Sequence, residues 1–187
     1  MRLYALCDQD MLDSKGVSID EYITLAKEHN AEIIQYRNKN ADKEFIKEQL
    51  IHIRNIYDGF LIVNDAYELI EYCDGVHLGQ EDLRAIDEDI HKAVTLVRSL
   101  VGEDKILGIS THNKEEVLDA NRLDLNYIGL GAYRSTDTKK DITGILGDSI
   151  EDIAAESKHL VGAIGGVRLD DEFTHVTYNV IGSGLLK

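Results

Sequence analysis

The chain has 187 residues, 43% of them hydrophobic, with a formal net charge of -15 and no proline. That size and apolar content suit one domain with a real core, spanning 1–187. The acidic balance argues against nonspecific nucleic-acid binding, which needs basic surface to displace counterions, and no run of about 18 apolar residues is present to cross a membrane. The opening Met1-Arg2-Leu3-Tyr4-Ala5-Leu6-Cys7-Asp8 meets an acid too early for a signal peptide and reads as a first strand. The two cysteines, Cys7 and Cys73, fall at opposite ends of strands. They read as separate buried thiols, which implies a reducing, cytoplasmic setting.

Short apolar runs recur along the chain, each too short for a helix and bounded by polar residues. The predicted strands are Leu3–Cys7, Glu32–Tyr36, Phe60–Val63, Gly75–Leu78, Lys105–Ile109, Tyr127–Leu130, Leu160–Ile164 and Val176–Ile181. Helical patterns sit between most of them. Ser18 with Glu21 forms a capping box ahead of Ile19, Tyr22, Ile23 and Ala26. Phe45, Ile46, Leu50, Ile53 and Tyr57 recur at helical spacing, as do Ile86, Ile90, Ala93, Val94, Val97 and Val101. Asn113 with Glu116 starts another helix, and Ser149, Ile150, Ile153 and Ala154 a further one. Eight strand–helix alternations predict a (β/α)8 TIM barrel. The spans Ala66–Tyr72 and Arg168–Phe173 leave room for barely two turns each, so the helices after strands 3 and 7 are expected to be short. The last helix is expected to be nearly absent.

A barrel gathers the carboxyl ends of its strands on one rim, where ligands bind. Asp8, Gln35, Arg37, Lys39, Asn64, Asp65, His77, Gln80, Asp82, Ser110, His112, Gly131, Gly165, Gly166 and Ser183 fall there. Arg37 and Lys39 alternate past strand 2 and suit phosphate binding, or else salt bridges to Glu32 or Glu44. Asp65 and Asp82 suit a shared Mg²⁺, a hard ion that prefers oxygen ligands. The competing reading is that each caps the helix that follows it. The run from Gly131 to Lys140 offers hydroxyls at alternating positions before Lys139 and Lys140, as an anion clamp or as plain solvated surface. Gly165-Gly166 and Gly182-Ser183-Gly184 would let backbone N–H groups approach a phosphate, or merely make tight turns. His77 reads as a satisfied core or rim histidine, and His112 equally as a helix-entry residue. No Ser-His-Asp, Cys-His or zinc-ligand spacing is evident.

Taken in order, Gln35-Tyr36-Arg37-Asn38-Lys39, Val63-Asn64-Asp65, Gly75-Val76-His77-Leu78-Gly79-Gln80-Glu81-Asp82-Leu83, Leu107-Gly108-Ile109-Ser110-Thr111-His112, Thr136-Asp137-Thr138-Lys139 and Ala163-Ile164-Gly165-Gly166-Val167 resemble the motifs of the thiamine phosphate synthase family. The resemblance runs from the first strand to Ser183. It implies a (β/α)8 barrel and a Mg²⁺-dependent transferase that works on small phosphorylated substrates. The implied reaction joins hydroxymethylpyrimidine pyrophosphate to hydroxyethylthiazole phosphate, giving thiamine phosphate and pyrophosphate. By motif, Asp65 and Asp82 would hold the Mg²⁺. Arg37, Lys39, Asn64 and Lys139 would bind the pyrophosphate, and Gln35 and Ser110 would lie near the pyrimidine. Thr136, Thr138, Gly166 and Ser183 would bind the thiazole phosphate. Arg37, Lys39, Ser110 and Lys139 are the residues expected to serve the chemistry directly.

The chain departs from the family pattern in several places. Gly131-Ala132 stands where Gly-Pro is usual, and Tyr133-Arg134 replaces a mainly apolar pair. The sister thiazole tautomerases share the barrel but tend to carry a histidine where this chain has Ala132. A non-catalytic thiamine-precursor binder is the remaining alternative. A homo-oligomer is compatible with the sequence, which fixes no oligomeric state.

Overall fold

In the computed structural model, residues 1–135 and 144–186 are described. Eight parallel strands close into a barrel in sequence order. They are β1 (Arg2–Asp8), β2 (Ile33–Arg37), β3 (Phe60–Asn64), β4 (Gly75–Leu78), β5 (Ile106–Thr111), β6 (Tyr127–Gly131), β7 (Leu160–Ile164) and β8 (Tyr178–Ile181). Closure is made by β1 against β8, with Arg2 opposite Tyr178 and Ala5 opposite Ile181. Each predicted strand is present, with ends shifted by two residues or fewer.

The helices are α1 (Gln9–Lys15), α2 (Ile19–Glu28), α3 (Lys43–Ile56), α4 (Gln80–Ile86), α5 (Ile90–Val101), α6 (Lys114–Ala120) and α7 (Ser149–Ala154). The Ser18–Glu21 capping box forms in both directions, and the Asn113 side chain accepts from the Glu116 amide at the start of α6. Three expectations need correction. The apolar series from Ile86 to Val101 spans two helices, because Asp89 caps α5 by accepting from the His91 amide. No helix forms after β7, where Arg168–Phe173 is irregular apart from a turn at Leu169-Asp170. Phe45 lies off the buried face of α3 and is 42% exposed. As expected, the segment after β3 holds only a short 3₁₀ helix, Tyr67–Tyr72, and Ser183–Leu186 is another.

Alternation along each strand divides the apolar side chains into two sets. Leu3, Ala5, Cys7, Ile34, Leu61, Val63, Val76, Leu107, Ile128 and Val161 join the layer shared with the helices. Tyr4, Leu6, Ile33, Ile62, Tyr127, Tyr178 and Val180 form a separate cluster that fills the barrel interior. The filling leaves no room for a side chain at two of the strand glycines. A Cβ at Gly108 would collide with the Tyr127 ring, and one at Gly162 would come within 2.9 Å of Val180 Cγ2. Cys7 and Cys73 are both free and buried. No helix among the described residues is long and apolar enough to cross a membrane.

Overpacking a filled interior forces rings off their rotamers. Gly108→Ala is therefore expected to destabilise the fold by roughly 1–3 kcal/mol, measured by denaturant unfolding. An unchanged midpoint would mean that the interior is loosely filled.

Candidate functional site

The carboxyl ends of β2, β3 and β4 bring Lys39, Asp65 and Asp82 within ion-pair reach. Lys39 lies just past β2. Its ammonium sits 2.5 Å from Asp65 Oδ2 and 3.2 Å from Asp82 Oδ2, so one cation bridges the two acids. Neither acid acts as a helix cap. The turn after Asp65 has no side-chain cap at all. Asp82 lies inside the first turn of α4, whose cap position is Gly79. Asp65 is held instead by its backbone. It adopts a left-handed φ of 64°, which a non-glycine residue takes at a cost, and its amide donates to the His77 carbonyl at 2.9 Å.

Opposing effects act on the charges of this cluster. Burial pushes the Asp65 carboxyl above the usual carboxylate range, and nearby Asp82 adds to the rise, while Lys39 pulls it back. Desolvation opposes the Lys39 charge, but the two acids hold its ammonium above the ordinary lysine value. Asn64 Nδ2 donates to Asp65 Oδ2 at 2.5 Å. Asp65 Oδ1 is buried with no hydrogen-bond partner. A buried carboxylate oxygen without a partner, beside a second carboxylate, is a donor set that accepts a divalent cation. Among the described residues no group of three or more His, Cys, Asp or Glu side chains is placed to hold a metal. Two carboxylates still fit Mg²⁺, which is usually bound through one or two carboxylates with substrate phosphates and water.

Arg37 pairs with buried Asp8 at the end of β1. Asp8 also accepts from the Met11 amide and caps α1. The salt bridges to Glu32 and Glu44 do not form: Glu32 pairs with Arg2 and Glu44 with Lys47. Gln35 is buried at 4% exposure and donates to the Tyr4 hydroxyl. Ser110 Oγ lies 2.9 Å from His77 Nε2, and its carbonyl accepts from Gln80 Nε2 at 2.6 Å. His77 is thus the satisfied histidine that its apolar strand suggested. His112 turns to Glu116, which accepts from both its amide and its ring, so it serves helix entry.

On the opposite side, Gly165 and Gly166 follow β7 with φ of 87° and 66°, a left-handed pair that glycine allows. Ser183 starts the short helix after β8, the neighbouring strand. Arg134 makes two parallel bonds to Asp171, at 2.6 and 2.7 Å, and donates to the Gly166 carbonyl at 3.0 Å. Its guanidinium stacks 4.2 Å from the Tyr133 ring centroid. Arg134 holds the Asp171 carboxyl below the usual range. Thr136, Thr138 and Lys139 lie outside the described residues.

Sequence reasoning placed Asp8 on the rim without a role, noted Arg134 only within the run after strand 6 and as a departure from the family pattern, and assigned no part to Tyr4, Tyr127 or Asp171. Tyr4 and Tyr127 carried one usable signal: a buried phenol in an aliphatic strand must find a polar partner. The Arg134–Asp171 pair spans two loops and left no local pattern.

Comparison with known proteins agrees with the barrel fold. A family model described as thiamine monophosphate synthase matches residues 3–179. The chain is 32% identical over 170 residues to the thiamine-phosphate synthase of Clostridium botulinum, covering 88% of this chain and 75% of that one. It is 34% identical over 172 residues to the thiamine-phosphate synthase of Persephonella marina, covering 89% and 77%. The solved structure of a thiamine phosphate pyrophosphorylase from Pyrococcus furiosus superposes with a TM-score of 0.75 at 25% identity, covering 97% of this chain and 85% of that one. With the family match spanning most of the barrel and relatives above 30% identity across it, the chain belongs to the thiamine monophosphate synthase family.

Proposed function

We propose that this protein is a thiamine-phosphate synthase that couples hydroxymethylpyrimidine pyrophosphate to hydroxyethylthiazole phosphate, releasing pyrophosphate. The observation that carries the reading is Lys39 bridging Asp65 and Asp82 at the mouth of the barrel, with Arg37 on the same strand end. A site built for pyrophosphate departure needs cations for the leaving group and carboxylates for Mg²⁺. This cluster supplies both.

In this reading Asp65 and Asp82 hold the Mg²⁺, and the partnerless Asp65 Oδ1 supports the fit. When bound, Mg²⁺ supplies neutralising charge for the pyrophosphate. Arg37, Lys39 and Asn64 bind the pyrophosphate oxygens, and the family motif adds Lys139, which lies outside the described residues. The bond from the pyrimidine methylene carbon to the pyrophosphate oxygen breaks, and both electrons leave with the pyrophosphate. The thiazole nitrogen lone pair then forms the new bond to that carbon. No protein nucleophile is required, so positioning and charge carry the catalysis. Gln35 and Ser110 orient the pyrimidine. Thr136, Thr138, Gly166 and Ser183 hold the thiazole phosphate, and the Arg134 bond to the Gly166 carbonyl steadies that turn.

The test is a coupling assay with both substrates and Mg²⁺, following thiamine phosphate by fluorescence after oxidation. Product is expected to vanish with a chelator and return when Mg²⁺ is restored; turnover that persists in chelator would remove Asp65 and Asp82 from the metal role. Asp65→Ala is expected to lower turnover at least about 100-fold with the fold intact. Near-normal activity would refute the assignment.

The same aspartate has a separate signature in stability. A carboxyl whose folded pKa lies above its unfolded value contributes stability below the unfolded pKa and loses it as pH rises through the folded one. Burial and Asp82 place Asp65 in that class. In metal-free protein at neutral pH, Asp65→Asn is therefore expected to raise the midpoint of thermal unfolding. A lowered midpoint would show that the attraction to Lys39 outweighs burial.

A further inference from the structure

Five side chains from five strands are joined end to end inside the barrel. Gln35 Nε2 donates to the Tyr4 hydroxyl at 2.5 Å. The Tyr4 and Tyr127 hydroxyls lie 2.8 Å apart. The Tyr127 hydroxyl lies 2.8 Å from His77 Nδ1, and His77 Nε2 lies 2.9 Å from Ser110 Oγ. The backbone is cut to fit this chain. Gly108 leaves room for the Tyr127 ring, and a Cβ at Gly129 would press to 3.2 Å from His77 Cε1.

A phenol has one proton to give and a neutral imidazole has one N–H. Burial pushes both phenols far above their ordinary range, so neither surrenders its proton. The direction of each link therefore depends on its neighbour. With the Gln35 amide donating, Tyr4 gives its proton to Tyr127, and Tyr127 gives its own to His77 Nδ1. The imidazole then carries its proton on Nε2 and donates to Ser110 Oγ. What remains outside the chain is the Gln35 amide oxygen at one end and the Ser110 proton at the other. Reversing the chain would leave an amide NH₂ and a serine oxygen instead. The two ends cannot be set independently.

We infer that Tyr127 is a positioning residue: acting through Tyr4 and His77, it couples Gln35 to Ser110, so that the barrel mouth offers one fixed acceptor and one fixed donor to a heteroaromatic ring edge of matching pattern. The inference rests on the reading that Gln35 and Ser110 face the pyrimidine. It adds a specificity device set two side chains back from the ligand. A ring with donor and acceptor exchanged would have to reverse all five links to bind.

The test uses ¹⁵N-histidine-labelled protein without substrate, with the His77 signals identified by their loss in His77→Gln. His77 is expected as a single neutral tautomer protonated on Nε2. A proton on Nδ1, double protonation or a tautomer mixture in the parent protein would overturn the inference. Tyr127→Phe is expected to turn the single tautomer into a mixture. Tyr4→Phe, which cuts the chain one link further away, is expected to do the same. An unchanged tautomer in both variants would overturn the coupling. In the coupling assay, Tyr127→Phe is expected to raise KM for the pyrimidine pyrophosphate roughly tenfold, in line with one lost hydrogen bond, while KM for the thiazole phosphate stays within about twofold. Equal rises for both substrates, or none, would overturn the assignment to the pyrimidine side. The tautomer measurement needs no substrate, so an inactive parent protein would count against the functional reading alone.

Discussion

A closed eight-stranded barrel must fill its own interior with the side chains that its strands turn inward. In this chain that one constraint organises both the stability and the site. Tyr4, Tyr127 and Tyr178 occupy the interior with Leu6, Ile33, Ile62 and Val180. The tyrosine rings pack against one another at centroid distances of 5.8 and 6.3 Å. Phenols in a dry interior must be satisfied or they cost stability. The strands answer with Gln35, His77 and Ser110 on the same inward positions, closer to the mouth. Core and rim residues are therefore one hydrogen-bonded body, and the packing of the interior sets the orientation of the rim.

The barrel was legible because parallel buried strands read as short apolar runs, and because Ser18, Asn113 and Ser149 punctuate the helices between them. The ends of the strands were legible for the same reason: once the runs are aligned, Arg37, Lys39, Asp65 and Asp82 fall on one rim whatever their partners. What escaped was of two kinds. Short elements with little buried face leave a weak pattern, and α1, with only Met11 and Leu12 buried, was not foreseen. Partners far apart in sequence leave none. Nothing near Arg37 indicates that Asp8, 29 residues away, will hold it. The Ile86–Val101 series misled because a capping aspartate broke a periodicity that hydrophobic spacing alone carried through.

The departures from the family pattern at Tyr133 and Arg134 form a unit. Arg134 ties the loop after β6 to Asp171 and to the Gly166 carbonyl. Asn179 on β8 donates to the carbonyls of Arg168 and Asp171, at 3.1 and 2.9 Å. Tyr133 meets Phe173 edge-on at 5.1 Å. The stretch after β7 that has no helix is held in place by these contacts. Cross-loop bonds thus do locally what a helix packed on the outside of the barrel does elsewhere.

The seam between β1 and β8 carries a further consequence. The Tyr22 hydroxyl, from α2, lies 2.9 Å from the Leu6 carbonyl, 3.0 Å from that of Ile181 and 3.3 Å from that of Gly182. Its single proton is shared by carbonyls that belong to opposite ends of the chain. Contacts at this sequence separation carry the largest loop-closure entropy, so they form late. Until the ring shuts, Tyr22 has one of its three acceptors, the Leu6 carbonyl, and its proton is shared with Ile181 and Gly182 only once the last strand is in place. One side chain of α2 therefore ties the first strand to the last, and its full set of contacts exists only in the closed ring.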